Sequence, residues 1–203
     1  MSAKDDPNAH RRRSVRLARW DYSSAGAYFV TICVRQGESV FGQVVGEEMH
    51  RNAWGDILAE YWQDLPRHFP TVRLGAFIVM PNHVHFIVWL NPPAEPVGAQ
   101  FNCAPTGMAD AGVLVPLRGR ESPIGRSFVV DKQRPTLGQV VRAFNAGTAR
   151  LIRLAGGEGF VWQRNYYEHI IRDEADLNRI TQYILDNPTK WALDEQNPDN
   201  RRR

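Results

Sequence analysis

The chain has 203 residues, 43% of them hydrophobic and 23% charged, and a formal net charge of +3. This composition allows a packed core and excludes a fibrous or globally disordered protein. Its two cysteines show no Cys-x-x-Cys spacing, which excludes a disulfide framework and indicates a reduced cytoplasmic compartment. No apolar run is long enough for a membrane span, and none follows the basic start as a signal peptide requires.

The positive charge is concentrated at the two ends. Residues 1–19 hold six basic and two acidic side chains, and the last three residues are all arginine. We therefore predict a basic N-terminal arm at 1–20 and a basic C-terminal tail at 196–203. Such an arm can hold phosphates by releasing counterions, although charge alone favours a solvated tail.

The elements that follow the arm are strands and a helix. Residues 27–34 are β-branched and aromatic, typical of a buried strand, and residues 41–49 indicate a weak hairpin. Apolar residues recur at helical spacing over 51–63, which predicts a helix. Pro66 and Pro70 predict a loop after that helix.

The most apolar block of the chain comes next. Residues 72–80 and 83–90, separated by Pro81 and Asn82, predict two strands joined by a tight turn. Residues 91–135 are rich in proline and glycine and lack any sustained periodicity. We interpret them as a long loop or disordered insertion within one domain that spans 21–195.

The last third of the chain predicts two helices and a short strand. Residues 136–154 have an apolar helical face, and β-prone residues near His169 to Arg172 precede a final helix at 174–187. The resulting order of strands and helices predicts an α+β fold, with an antiparallel sheet covered by helices on one face. A ferredoxin-like arrangement accommodates this order.

His83 and His85 stand two residues apart in a predicted strand, so both imidazoles point to the same side. A bare His-x-His pair is more often two histidines on a half-exposed strand face. It is also a good start for a metal site. The absence of a third His or Cys at a suitable spacing favours a harder ion than zinc.

Tyr183 lies on a polar stripe beside the apolar face of the final helix. Asp176, Arg179 and Asn187 share this stripe, because they are spaced by about one or two helical turns. The stripe would keep the tyrosine hydroxyl accessible. Arg179 could lower its pKa or hold a phosphate, and Asn187 could bind the same object. The common alternative is a tyrosine that covers the edge of the core.

Taken together, several segments resemble the single-tyrosine HUH transposases, and in particular the REP-associated tyrosine transposases (REP, repetitive extragenic palindrome). The segments that carry the resemblance are residues 21–22, 26–33, 79–85, 162–172 and 183–188. The resemblance covers roughly residues 11–90 and 136–195 and leaves out the insertion and the extreme ends.

This resemblance implies a ferredoxin-like sheet and an enzyme that cleaves and rejoins single-stranded DNA near palindromic hairpins. His83 and His85 would bind a divalent metal, Mg²⁺ or Mn²⁺, and Tyr183 would attack DNA to form a 5′-phosphotyrosine. Asn187 falls at the position of a third ligand, where related transposases have a glutamine. The protein would work in the bacterial cytoplasm at the nucleoid, as a monomer or a homodimer.

Several basic and aromatic residues are candidates for contact with this DNA. Trp162, Tyr166 and Tyr167 could stack on unpaired bases, although packing is an equal alternative, and His169 has a structural interpretation. Removal of the arm should weaken DNA binding and flatten its dependence on salt. The candidate DNA-contacting arginines are Arg11, Arg12, Arg13, Arg16, Arg142, Arg150, Arg153 and Arg179.

Three other functions fit parts of the sequence. A replication initiator or relaxase of the HUH class usually has a longer chain or a cluster of three histidines. A domesticated, non-catalytic binder of structured single-stranded DNA or RNA would not need His83, His85 and Tyr183 together. An unrelated two-histidine metallohydrolase would leave the helix of Tyr183 and Asn187 unexplained.

Overall fold

The structure is a computed structural model that describes residues 20–91 and 134–200. The arm predicted at 1–20 lies outside the described residues except for Trp20, as do nearly all of the insertion predicted at 91–135 and the three terminal arginines. The strands are β1 Gly26–Cys33, β2 Gly42–Val45, β3 Glu48–Arg51, β4 Val72–Val79, β5 His83–Leu90 and β6 Tyr167–Ile171. The helices are α1 Ala53–His68, α2 Leu137–Leu154, α3 Glu174–Leu185 and α4 Asn187–Lys190.

Four of the strands form one antiparallel sheet in the order β4-β5-β1-β6, while β2 and β3 form a separate hairpin. The chain runs from β1 through α1 to β4, and β5 then returns between these two strands. It crosses again through α2 and adds β6 on the far side of β1. Two such split βαβ units define a ferredoxin-like sheet. The predicted α+β, ferredoxin-like fold is therefore confirmed.

Helices pack on both faces of this sheet. Val30 and Phe86 belong to the large core that α1 and α2 cover, as predicted. Phe29 and Ile87 point to the opposite face, where they pack with Ile184 of α3. The prediction of helices on one face was therefore incomplete. Strands β1 and β5 have apolar residues on both faces, and helices cover both faces.

Proline positions modify two predicted boundaries. Helix α1 continues through Pro66 to His68, because Phe69 donates a hydrogen bond to the Leu65 carbonyl at 3.0 Å and both side chains are buried. Helix α3 ends at Leu185, two residues earlier than predicted. Pro188 lies in the first turn of α4, a position that suits its fixed φ angle. Asn187 consequently begins a new short helix.

Capping side chains explain where α2 and α3 begin. The Thr136 side chain accepts a hydrogen bond from the Gln139 backbone N–H, and the Gln139 side chain accepts one from the Thr136 backbone N–H, which forms a capping box for α2. Asp173 accepts a hydrogen bond from the Asp176 backbone at the start of α3. Within the described parts of the chain, no helix is both long and apolar enough to span a bilayer.

Candidate active site

The two histidines of β5 face each other on the α3 side of the sheet. His83 is 0% and His85 is 3% exposed, and their Nε2 atoms are 3.0 Å apart. Val84 between them points into the large core on the other side. The side chains of β5 alternate, so the strand brings both imidazoles to one face, as the sequence predicts.

Each histidine is held through its other ring nitrogen. Asn82 Oδ1 lies 2.8 Å from His83 Nδ1, and Thr31 Oγ1 lies 2.8 Å from His85 Nδ1. Phe29 stacks on the His85 ring, with 5.5 Å between the ring centroids. Burial, assisted by the neighbouring His83, lowers the pKa of His85 well below its ordinary value. His85 is therefore neutral near neutral pH, the form in which imidazole binds a metal.

Helix α3 brings Tyr183 to the same place. The centroid of its ring lies 5.3 Å from that of His85 and 6.0 Å from that of Phe29. The side chain is 43% exposed, so a substrate can reach its hydroxyl. Burial raises the pKa of Tyr183, the side chain of Asn187 offsets part of this rise, and the charges of Asp194, Cys33 and Glu195 add to it. The phenol is therefore protonated at neutral pH.

Asn187 supplies a buried oxygen beside this tyrosine. The residue is 2% exposed, and its Oδ1 atom has no hydrogen-bond partner among the described residues. A buried acceptor without a partner is costly unless something else bonds to it. The structure brings His83, His85 and Tyr183 together and places the Asn187 side chain against Tyr183.

The separation of the two imidazole nitrogens is compatible with one shared divalent ion. Two ligands at right angles around such an ion, each about 2.1 Å from it, would lie about 3.0 Å apart. The histidine Nε2 atoms have this separation. Within residues 20–91 and 134–200, no three His, Cys, Asp or Glu side chains form a metal-binding group. A metal here would therefore use the two imidazoles and an amide oxygen.

Comparison with known proteins extends this picture. No protein-family model matches the chain. An uncharacterized protein of Haemophilus influenzae is 36% identical over 195 residues, which are 96% of this chain and 98% of that protein. A second protein of the same organism, provisionally named a REP-associated tyrosine transposase, is 24% identical over 178 residues, 87% of this chain and 78% of that protein.

A solved structure of a REP-associated tyrosine transposase, bound to a REP hairpin, has the same fold. Its TM-score is 0.50 at 19% sequence identity, and the match covers 86% of this chain and 73% of that chain. The chain is thus similar in sequence to a protein provisionally named a REP-associated tyrosine transposase, and similar in fold to a solved one. The resemblance noted in the sequence is thereby confirmed.

The predicted DNA-contacting arginines are not gathered at the histidines. Arg142 and Arg150 are exposed on α2, which covers the other face of the sheet, and Arg153 donates to the Phe160 carbonyl at 3.1 Å. Arg179 forms an ion pair with Asp176 and is not among the groups that shift the pKa of Tyr183. The candidates in the arm, Arg11, Arg12, Arg13 and Arg16, lie outside the described residues.

The aromatic candidates divide into buried and exposed. Trp162 is 7% exposed and donates to Thr148 Oγ1, so it packs in the core, and Tyr166 packs against the same core. Tyr167 is 54% exposed and lies 6.3 Å from Phe29 on the face of the site. His169 bonds to Asp176 at 2.7 Å and thereby holds the start of α3.

The residues after α4 also contribute to this site, which the sequence analysis missed. The Trp191 ring lies 6.0 Å from that of His83, and the Gln196 carbonyl accepts a hydrogen bond from Asn82 at 2.7 Å. Only Asn82 gave a signal in the sequence, because it directly precedes the His-x-His pair. The contact from Gln196 joins residues far apart in the chain, and no local pattern reveals such a contact.

Proposed function

We propose that this protein is a metal-dependent transposase that cleaves and rejoins single-stranded DNA through Tyr183. One observation carries the proposal: an exposed tyrosine ring lies 5.3 Å from a buried His-x-His pair, next to a buried amide oxygen without a partner. A tyrosine that only covered the core would not account for the two facing imidazoles. Similarity to REP-associated tyrosine transposases supports the same function.

His83, His85 and Asn187 are the residues that would hold the divalent ion. Two imidazoles favour Mn²⁺ somewhat over Mg²⁺, which prefers oxygen ligands. When bound, the ion would polarise the scissile phosphate as a Lewis acid. Strand β5 carries the two buried histidines, and the buried Asn187 begins α4.

Tyr183 would act as the nucleophile. Its Oη atom loses a proton and forms a bond to phosphorus, while the bond from phosphorus to the 3′ oxygen of the preceding nucleotide breaks. The departing oxygen takes up a proton, and the 5′ end stays attached to the tyrosine. The phosphotyrosine bond conserves the energy of the phosphodiester. A second 3′ hydroxyl can therefore reverse the step and join two strands.

Single-stranded DNA near a hairpin is the substrate that suits this surface. Tyr167 and Tyr183 offer exposed rings on one face, and aromatic rings stack on unpaired bases without regard to sequence. An open groove of about 560 Å³ includes Trp191, whose ring lies 6.0 Å from that of His83, but Tyr167 and Tyr183 do not line it. Its lining includes Gln36, Glu38, Ser39, Gln43, Trp191, Asn197 and Asp199. The related solved structure is bound to a REP hairpin, and this supports a substrate with a hairpin beside the cleaved strand. This substrate would place the protein at the nucleoid.

Covalent capture of DNA tests the proposal. A labelled single-stranded oligonucleotide, with a palindromic hairpin and several unpaired flanks, is incubated with the protein and Mn²⁺ or Mg²⁺. We expect a labelled protein band on a denaturing gel, absent for Tyr183→Phe and after chelation. Tyr167→Phe is the matched control, because Tyr167 is the other exposed tyrosine beside Phe29, and it should retain the band.

Two results would contradict the proposal. A band that persists in Tyr183→Phe would show that another residue is the nucleophile. Tight hairpin binding by the wild type without any band, on all flanks tried, would show a non-catalytic binder of structured nucleic acid.

A further inference from the structure

Asn82 is bonded in a way that fixes which of its side-chain atoms faces His83. Its Nδ2 atom lies 2.8 Å from the Gly37 carbonyl oxygen and 2.7 Å from the Gln196 carbonyl oxygen. Both partners only accept hydrogen bonds, so the amide nitrogen must point to them. The amide oxygen is then left to face His83 Nδ1 at 2.8 Å.

This orientation determines the tautomer of His83. An amide oxygen can only accept, so Nδ1 of His83 must carry the proton. In the neutral ring, Nε2 then presents its lone pair toward His85 Nε2, which lies 3.0 Å away. Without an ion, the proton between the two rings must therefore belong to His85 Nε2. His85 Nδ1 is then an acceptor, and the Thr31 hydroxyl donates to it at 2.8 Å.

Metal binding through both Nε2 atoms requires His85 to change this arrangement. The proton must leave Nε2, and the neutral ring must carry one at Nδ1 instead, exchanged through solvent without a change in charge. Thr31 can accommodate both states, because a hydroxyl both donates and accepts. Valine at position 31 would match its shape and allow neither hydrogen bond.

We propose that Asn82 and Thr31 are positioning residues that control where the two imidazoles carry their protons. Asn82 keeps His83 permanently ready to bind an ion through Nε2. Thr31 holds His85 in either tautomer and thereby allows the exchange that binding requires. The metal-binding part of this inference rests on the proposed function, whereas the ion-free tautomers do not.

Nitrogen-15 NMR of the histidine rings tests the inference on the wild-type protein. The six histidines are assigned with single His→Gln variants. Without metal, at a pH where imidazole is neutral, we expect His83 protonated at Nδ1 and His85 at Nε2. With Mg²⁺, we expect the His85 proton at Nδ1. His83 protonated at Nε2, or a His85 ring that keeps its Nε2 proton with metal bound, would overturn the inference.

Affinity for Mn²⁺, measured by calorimetry, tests the role of Thr31. Loss of such an outer hydrogen bond to a metal-bound histidine typically weakens binding about 10- to 100-fold. We expect a loss of about tenfold in Thr31→Val and recovery to within about twofold of wild type in Thr31→Ser, which keeps the hydroxyl. Equal Mn²⁺ affinity in Thr31→Val and wild type would overturn the inference.

Failure of the proposed function would look different. A wild-type protein that binds neither Mn²⁺ nor Mg²⁺, yet shows the expected ion-free tautomers, would refute the metal site and the Thr31 exchange. It would still support Asn82 as the residue that fixes the proton of His83 on Nδ1.

Discussion

At the level of single residues, Asn187 shows that the site is built at a cost to stability. Its buried Oδ1 atom has no hydrogen-bond partner among the described residues. An unsatisfied buried acceptor typically costs about 1 to 3 kcal/mol. A bound ion that used this oxygen, as proposed above, would remove the cost.

We expect Asn187→Leu to separate stability from function. The ion-free variant should be at least as stable as wild type, with a gain of up to about 1 kcal/mol, because an unsatisfied polar atom is removed. The same variant should lose covalent DNA capture. Chemical denaturation of chelated protein measures the first effect and the denaturing gel measures the second.

Asn197→Leu is the matched control for this substitution. Asn197 is also buried, but its amide donates to the Trp191 carbonyl and its oxygen accepts from the Asp199 backbone. Leucine at position 197 should destabilise the protein by about 1 to 3 kcal/mol, because the Trp191 carbonyl and the Asp199 backbone N–H lose their hydrogen-bond partner. Equal losses of stability at both positions would contradict the assignment of Asn187 as a residue kept for binding.

His85 should make stability depend on pH. Burial lowers its pKa below the ordinary value of 6.5, so between these two values the unfolded chain binds more protons than the folded one. The stabilising contribution is thus fully present above about pH 6.5 and declines as the pH falls toward the folded pKa. Denaturation of chelated wild-type protein at a series of pH values should show this decline.

His85→Gln provides the comparison, because glutamine does not titrate. The difference in unfolding free energy between wild type and this variant should change with pH below about 6.5 and be constant above it. A difference that stays constant across the whole range would show that His85 is not held neutral by burial.

At the level of elements, the position of α3 determines where Tyr183 lies. His169 of β6 bonds to Asp176 in the first turn of α3, and this bond is the main reason that the pKa of Asp176 is lowered. Ile180 and Ile184 then pack the middle and end of the helix against the sheet. The tyrosine stands on a helix anchored at its start by a hydrogen bond and later by apolar contacts.

We expect His169→Ala to loosen this anchor. The free energy of unfolding should fall by about 1 kcal/mol, since one hydrogen bond to a charged group is lost. The pKa of Asp176 should rise, as followed by carbon-13 NMR, and covalent capture of DNA should slow. Arg179→Ala removes the exposed ion pair to the same carboxylate and should cost less than about 0.5 kcal/mol. Equal effects of the two variants would argue against His169 as the anchor.

Periodicity predicted most of these elements from the sequence. Alternation in β5 placed His83 and His85 on one face, and helical spacing placed Tyr183 one turn before Asn187. The side of the sheet that α3 covers was not predictable in the same way. Residues such as Phe29 and Ile87 are apolar whichever layer covers them, so local pattern does not say which helix packs there.

The hydrogen-bond partners of several site residues are distant in the sequence, and local sequence patterns do not predict them. The bond from Asn82 to the Gln196 carbonyl joins the turn before β5 to the C-terminal segment, and that of Thr31 to His85 joins β1 to β5. Arg179 was a candidate to lower the pKa of Tyr183 or to hold a phosphate, whereas in the structure it forms an ion pair with Asp176. Tertiary packing decided the partners of Asn82 and Thr31, whereas Arg179 and Asp176 are one helical turn apart in α3.

At the level of the whole molecule, the order of the strands brings both halves of the site together. The histidines come from β5 in the interior of the sheet, and the tyrosine comes from a helix that follows β6 at the edge. Because β6 pairs directly with β1, α3 can return across the sheet to the histidine face. His83, His85 and Tyr183 of one chain therefore lie together.

This arrangement predicts that two inactive variants will not rescue each other. Tyr183→Phe lacks the proposed nucleophile and His85→Ala lacks a proposed ligand, so each alone should give no covalent DNA band. If each chain uses its own tyrosine, their mixture should also give none at any protein concentration. If two chains exchange α3, a mixed dimer would pair the intact histidines of one chain with the intact tyrosine of the other. A band that appears only in the mixture and grows with protein concentration would therefore refute the single-chain site, and wild-type protein at the same dilutions provides the reference.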